Sequence, residues 1–206
     1  MKKKIVVAIS GASGSIYGIR LLKALLNTSI DLYLVISNTG LKVIEHETGH
    51  RPGSTPESIR TFLLHQGIII NKNARLAIFQ GDNFFAPMAS GSFLHDGMII
   101  APCSMKTLGA IASGVTDNLI SRSADVCLKE ERPLILLTRE TPLNRIHLKN
   151  MYTAAVAGAT IMPPSPGFYF KPETVDDLID SVVARVLDHL KLHHNLFPRW
   201  GEEDSV

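Results

Sequence analysis

The stretch KIVVAISGASGSIYGIRLL, Lys4 to Leu22, joins a continuous apolar run to an amphipathic helical pattern through a glycine-rich turn. A strand, a tight turn and a helix in that order make the opening unit of a parallel α/β sheet. Such corners also hold phosphates, because glycines let the backbone approach a ligand and the helix start presents unpaired N–H groups. The spacing is not the dinucleotide G-x-G-x-x-G. It reads G-A-S-G-S-I-Y-G from Gly11 to Gly18, with hydroxyls at Ser10, Ser13 and Ser15. Taken alone, the segment fits a plain strand-to-helix corner equally well.

Working outward, short apolar runs recur at Ile5–Ile9, Leu32–Ile36, Met98–Ala101, Leu134–Leu137 and Thr160–Met162, with GIII (67–70) or LAIF (76–79) as a further edge strand. Helical patterns lie between them, at Ser15–Leu26, Thr39–Thr48, Lys106–Ser113, Leu119–Glu130 and Asn144–Ala157, and a last one spans about Glu173 to Leu190. Unbroken apolar strands alternating with helices predict a doubly wound α/β domain, its mainly parallel sheet covered on both faces in three Rossmann/flavodoxin-like layers. HETGHRPGSTPES (46–58) reads as a turn-rich excursion and MPPSPGFYFKP (162–172) as a proline-rich loop; neither has the composition of a flexible linker. We expect one domain over 1–192 and a tail over 193–206, docked through Phe197 and Trp200.

The bulk numbers agree. At 206 residues, 45% hydrophobic and 19% charged, the chain has the length and composition of one well-filled globular domain. A net charge of +2 gives no reason to invoke nucleic acid or an anionic membrane. Cys103 and Cys127 make no disulfide framework and fit a reducing cytosol. The start MKKKIVVAIS imitates a secretory leader, but its apolar core is shorter than the roughly 7–15 residues such a leader needs. The expected location is the cytoplasm.

In open α/β sheets ligands bind at the carboxyl ends of the strands, which turns the strand pattern into a site pattern. The exits carry Ser10 to Ser15, then Ser37 and Asn38, then Cys103 to Thr107, then Arg139 and Glu140, and last the Phe168–Phe170 loop. Small hydroxyls and amides suit a phosphate and a flat polar ring. At the second exit an NAD site usually wants an acid for the ribose, and Ser37–Asn38 supplies none, so a mononucleotide fits better. APCSMKTLGAIASG (101–114) gives a second anion-friendly helix start, with Pro102 ending the strand and Ser104, Lys106 and Thr107 in the first turn. Arg122 and Lys129, seven apart, share a helix face; with Arg139 and Arg185 they would suit a second phosphate group.

Other patterns carry less. DDLID (176–180) matches a magnesium-diphosphate motif, but it opens a helix, where acids stabilise the dipole in any protein. The eight histidines have no metal spacing, and Cys103 has no histidine near it in sequence. No metal is expected.

The segments ISGASGSIYGIRLL, ASGSF (89–93), PCSMKTLGAIASGVTDNLISRSADVCLKEERPL (102–134), LTRETPLNRIHLKNM (137–151), IMPPSPGFY (161–169) and RVLDHL (185–190) together closely resemble the UbiX-type flavin prenyltransferases. The resemblance covers nearly the whole chain, and 49–72 is its least family-like part. It implies transfer of a dimethylallyl group from dimethylallyl phosphate to N5 and C6 of reduced FMN, giving prenylated FMN for a partner decarboxylase of the ubiquinone-biosynthesis or aromatic-acid type. It further implies FMN contacts from Gly11, Ala12, Ser13, Ser37, Ser104, Met105, Lys106, Thr107 and Arg139. Prenyl-phosphate contacts would come from Ser90, Arg122, Lys129, Tyr169 and Arg185, with Lys129 also counted among the catalytic groups. Ser15, Glu47 and Glu140 would handle protons, and Tyr169 and Trp200 would border the allylic group. Homo-oligomerisation is implied as well, as a trimer-based dodecamer with active sites between subunits. The rival readings are an FMN-dependent cysteine decarboxylase and a non-catalytic FMN-binding protein. The P-x-M-N-x-x-M-W-like segment of the former is replaced here by RETPLNRIHLKNM.

Overall fold

A computed structural model describes residues 2–196; the expectations for Phe197 and Trp200 fall outside these. Six strands, β1 (Lys4–Ile9), β2 (Asp31–Ile36), β3 (Arg75–Phe79), β4 (Met98–Cys103), β5 (Leu134–Thr138) and β6 (Thr160–Ile161), form one sheet in the order β3-β2-β1-β4-β5-β6. Every pairing is parallel. The chain winds outward from β1 to β3, then crosses back to lay β4 beside β1. That reversal opens a crevice at the carboxyl ends of β1 and β4.

Among the described residues seven α-helices cover the sheet: α1 (Ser15–Leu26), α2 (Asn38–Thr48), α3 (Pro56–His65), α4 (Met105–Ala112), α5 (Leu119–Lys129), α6 (Arg145–Val156) and α7 (Val175–His189). Alternation along β1 divides them between two cores. Ile5, Val7 and Ile9 point into one core with residues of α1, α3 and α7, such as Leu22, Phe62 and Val183. Val6 and Ala8 point into the other with residues of α4, α5 and α6, such as Leu108, Ala124 and Ala154. Consequently α5 and α7 lie on opposite faces. The doubly wound, single-domain expectation holds.

Two local readings are corrected. The turn-rich excursion contains α3: Thr55 caps it by accepting the Ser58 N–H, Pro56 opens it, and Ile59, Phe62 and Leu63 bury its apolar face. The strand read at 98–101 continues through Pro102 to Cys103. The ladder to β5 shifts register between Ile100 and Cys103, so the missing proline N–H falls where pairing is already interrupted. Of the two edge-strand alternatives, 76–79 lies within β3 and 67–70 is not a strand.

Candidate active site

The β1 exit is built around one side chain from another helix. Gly14 caps α1 with φ 97°, a left-handed conformation that glycine adopts without strain. The Gly14 and Ser15 N–H groups each donate to the Glu47 carboxylate at 2.8 Å, and Ser15 Oγ donates to it at 2.6 Å. The anion at the start of α1 is therefore Glu47, brought from the last turn of α2. The expected phosphate does not find those N–H groups free. Partial burial alone would raise the Glu47 pKa, but bonds from the Ser15 and Ser13 hydroxyls and the two backbone N–H groups outweigh it and hold the carboxyl below its usual range.

Gly11 is where α2 approaches the turn: a Cβ there would lie 2.4 Å from Thr39 Cγ2. Across the crevice, buried Ser10 donates its hydroxyl to the Pro102 carbonyl and accepts the Ser104 N–H, both at 2.8 Å. The exits of β1 and β4 are thus tied together. Ser104 in turn caps α4, its Oγ 3.3 Å from Thr107 N and 3.0 Å from Thr107 Oγ1. The Arg139 N–H donates to the Cys103 carbonyl, setting the β5 exit beside the β4 exit. Glu140 follows, exposed, with one oxygen accepting the Thr141 N–H.

A cavity of about 380 Å³ opens next to these exits, at those of β2 and β3. Ser37, Asn38 and Thr39 at the start of α2 line it, Lys106 faces them from α4, and Ser54 and Ile59 wall it from the excursion. Ser37 caps α2 through the Gly40 N–H, and the first turn of α2 carries no acid. The helix start, the hydroxyls and the lysine would suit an anion, although Asp82 and Asp117 also line the cavity. A larger hollow, about 630 Å³, lies at the opposite end of the sheet, between Lys2–Lys3, Ile30 and residues 191–196.

The other predicted contacts form two separate groups. Ser90 lies on a short loop that two arginines hold, with Lys129 close by. Arg122 Nε donates to the Ala89 carbonyl at 3.1 Å, and Arg132 donates to the carbonyls of Gly91 and Phe93 at 2.6 and 2.8 Å. A Cβ on Gly91 would lie 2.7 Å from Lys129 Nζ, and Lys129 itself pairs with Glu130. Ser90, Arg122 and Lys129 are therefore one cluster on the α5 face. Arg132 was not foreseen, and its alternation with other charges in KEERP gave no signal. Arg185 is exposed on α7, on the other face of the sheet, paired with Asp188 at 3.3 Å. Tyr169 is exposed in the loop after β6, edge-on to Phe170. One chain does not bring the four cations to one phosphate.

The patterns discounted in the sequence have structural occupations. Asp180 takes Arg20 in a bidentate pair at 2.5 and 2.6 Å, and Asp177 accepts the N–H groups of Glu173 and Thr174. Among the described residues no three His, Cys, Asp or Glu side chains gather as a metal site. Burial pushes both cysteine thiols up to about 12, so neither is a thiolate nucleophile near neutral pH. Among the described residues no helix is long and apolar enough to cross a membrane.

The flavoprotein family model matches residues 1–187. The flavin prenyltransferase UbiX of Halalkalibacterium halodurans is 45% identical, over 96% of this chain and 93% of that protein. The crystal structure of AnUbiX (PadA1) in complex with FMN and dimethylallyl pyrophosphate matches with a TM-score of 0.86 at 44% identity, covering 98% of both chains. The dodecameric FMN-dependent UbiX-like decarboxylase of Escherichia coli O157:H7 matches with a TM-score of 0.83 at 40% identity, over 96% of this chain and 98% of that one. With a polar cavity at the start of α2, a carboxylate–hydroxyl pair at that helix's last turn and likeness along nearly its whole length, the chain belongs to the UbiX-type flavin prenyltransferases of the flavoprotein family.

Proposed function

We propose that the protein transfers a dimethylallyl group from dimethylallyl phosphate to N5 and C6 of reduced FMN, releasing phosphate and supplying prenylated FMN to a partner decarboxylase. The observation that carries this reading is the pairing of two features on α2. The anion cavity sits at its Ser37 end and the Ser15–Glu47 pair at its last turn, roughly 15 Å apart by helical rise. That separation suits an elongated mononucleotide, phosphate at one end and reacting ring at the other.

Ser37, Thr39 and Lys106 would bind the FMN phosphate, while Gly11, Ala12, Ser13, Met105 and Arg139 border the ring. Ser104 and Thr107 act here by fixing the α4 start. The reduced flavin, when bound, supplies the nucleophile, so the chain needs none. Arg122, Lys129, Arg185, Ser90 and Tyr169 would hold the allylic phosphate and stabilise the negative charge that builds as its carbon–oxygen bond breaks. Forming the bond to C6 displaces a proton, and Ser15 backed by Glu47 is placed to accept it, with Glu140 as the second carboxylate of the site.

Because Arg122 and Lys129 lie on one face and Arg185 on the other, the donor site is completed by a second copy of the chain. The outer side of α6 offers an apolar surface for such contacts: Leu148, Tyr152 and Val156 recur at helical spacing, with Ile146 alongside, all exposed. A trimer-based, dodecameric assembly fits this, as does the dodecameric relative. A reducing cytoplasm suits the two free, buried cysteines.

The test is an anaerobic incubation with reduced FMN and dimethylallyl phosphate, with and without EDTA, and mass spectrometry of the extracted flavin. A flavin heavier by one isoprene unit is expected in both. Unmodified flavin from protein that binds FMN would overturn the transferase reading.

A further inference from the structure

Arg185 projects from α7 with two-thirds of its side chain in solvent, and an exposed arginine paired only three residues along its own helix is weakly held. Its partner, however, is itself braced. Asp188 presents Oδ2 to Arg185 NH1 at 3.3 Å and Oδ1 to His194 Nε2 at 3.1 Å. The His194 side chain is 5% exposed, so the brace is anchored inside the protein. The chain reverses to reach it. Lys191, in a left-handed conformation at φ 54°, ends the helix, and Lys3 Nζ pins the turn by donating to the carbonyls of Leu190 and Lys191.

The bond pattern fixes the ring's state. A carboxylate can only accept, so Nε2 carries the hydrogen that points at Asp188. Nδ1 is buried and meets no polar partner among the described residues. A buried imidazole with one unmatched nitrogen is costly as packing, where an apolar side chain would serve better. Among the described residues its one polar contact is the one that orients Asp188.

We propose that Asp188 and His194 are positioning residues for Arg185, holding its guanidinium ready for the phosphate of the allylic donor. This rests on the reading of Arg185 as a donor-phosphate ligand. Loss of the histidine removes one of the contacts that orient Asp188, so Arg185 samples more rotamers and the donor must do more of the ordering on binding. The flavin end of the site is untouched.

The test compares His194→Met, which keeps an apolar filling, with His194→Gln, whose side-chain amide can still donate towards Asp188. Each is made in the native chain and in an Arg185→Ala background, with thermal midpoints recorded to confirm folding. In the native background His194→Met should raise the KM for dimethylallyl phosphate by about tenfold, with FMN affinity and kcat changed far less. Asp188→Asn should behave alike and His194→Gln should restore most of the loss. In the Arg185→Ala background His194→Met should add nothing. Equal losses in both backgrounds, or parallel losses in FMN and donor affinity, would overturn the inference. The side-chain NMR signal of Arg185 in the donor-free protein separates the two levels. A sharp signal in the native chain that broadens in His194→Met establishes the brace, and an Arg185→Ala variant with unchanged KM would then overturn only the donor-site reading beneath it. A signal unaltered by His194→Met sinks the brace itself.

Discussion

Ser15 Oγ and Glu47 Oε2 lie 2.6 Å apart, joining the first turn of α1 to the last turn of α2 across 32 residues of sequence. The same carboxylate satisfies two N–H groups that the start of α1 leaves unpaired. One side chain thus serves as a helix-capping anion and as the partner of the hydroxyl that the proposed reaction would use to take up a proton.

Replacing Glu47 with Gln should therefore do two things. It removes a charge from a helix start, with a stability loss of about 1 kcal/mol at neutral pH. A carboxylate whose folded pKa lies below its unfolded value stabilises the fold above the unfolded pKa, and loses that contribution as pH falls through the folded one. Melting curves of the two proteins should differ most near pH 7, begin to draw together as pH falls below the ordinary Glu value of about 4.3, and meet only below the folded pKa. Prenylation should slow much more than FMN binding weakens.

At the other end of α2, the anion cavity gives a prediction that discriminates between ligands. Lys106→Met should weaken FMN binding by about tenfold and lower its salt dependence, while leaving riboflavin, which lacks the phosphate, nearly unaffected. Equal loss for both flavins in a fluorescence titration would move the phosphate away from Lys106.

These two results concern features that the sequence conveyed unequally. The strand–turn–helix corners follow from local pattern, and the sheet bears them out; the mononucleotide preference at Ser37–Asn38 rests likewise on local pattern. That Glu47 fills the start of α1 depends on α2 lying across that turn, a tertiary fact with no local trace. For α3 the signals were present, in a Thr55–Pro56–x–Ser58 cap ahead of Ile59, Phe62 and Leu63. The density of Gly and Pro just before it masked them. Which sheet face each helix covers is set by the crossovers, so Arg122, Lys129 and Arg185 read as one cluster although two faces hold them.

Ser10 ties the β1 exit to the β4 exit through Pro102 and Ser104. Ser10→Ala leaves the half-buried Ser104 N–H and the buried Pro102 carbonyl without that hydroxyl, a loss of about 1–3 kcal/mol in stability. FMN affinity should fall as the α4 start loosens, and Ser10→Thr, which keeps the hydroxyl, should recover part of both. Full FMN affinity in a destabilised Ser10→Ala protein would confine Ser10 to the fold.

Acid should weaken the fold through His95. Burial first, and the nearby Arg132 second, hold its pKa below the ordinary 6.5, so the folded state keeps it neutral. The unfolded chain takes up that proton first, and stability therefore falls as pH drops from about 6.5 to the folded pKa. His95→Phe, retaining a ring beside Phe93 and Cys127, should flatten this part of the stability–pH curve. An unchanged slope in urea titrations between pH 5 and 7 would assign the acid sensitivity elsewhere.

The placement of α5 and α7 on opposite faces makes the last prediction one of complementation. Lys129→Ala and Arg185→Ala proteins should each bind FMN and each transfer the prenyl group poorly. Mixed as an equal population of exchanging subunits, they should form some sites with Arg185 from one copy and Lys129 from another. If each site draws these two residues from different copies, about a quarter of the sites in a random mixture carry both native residues. Activity should rise towards that fraction after co-refolding or co-expression, and stay low when the two proteins are combined without exchange. Recovery absent after verified exchange would mean that both residues act within one chain, against the separation that the two sheet faces impose.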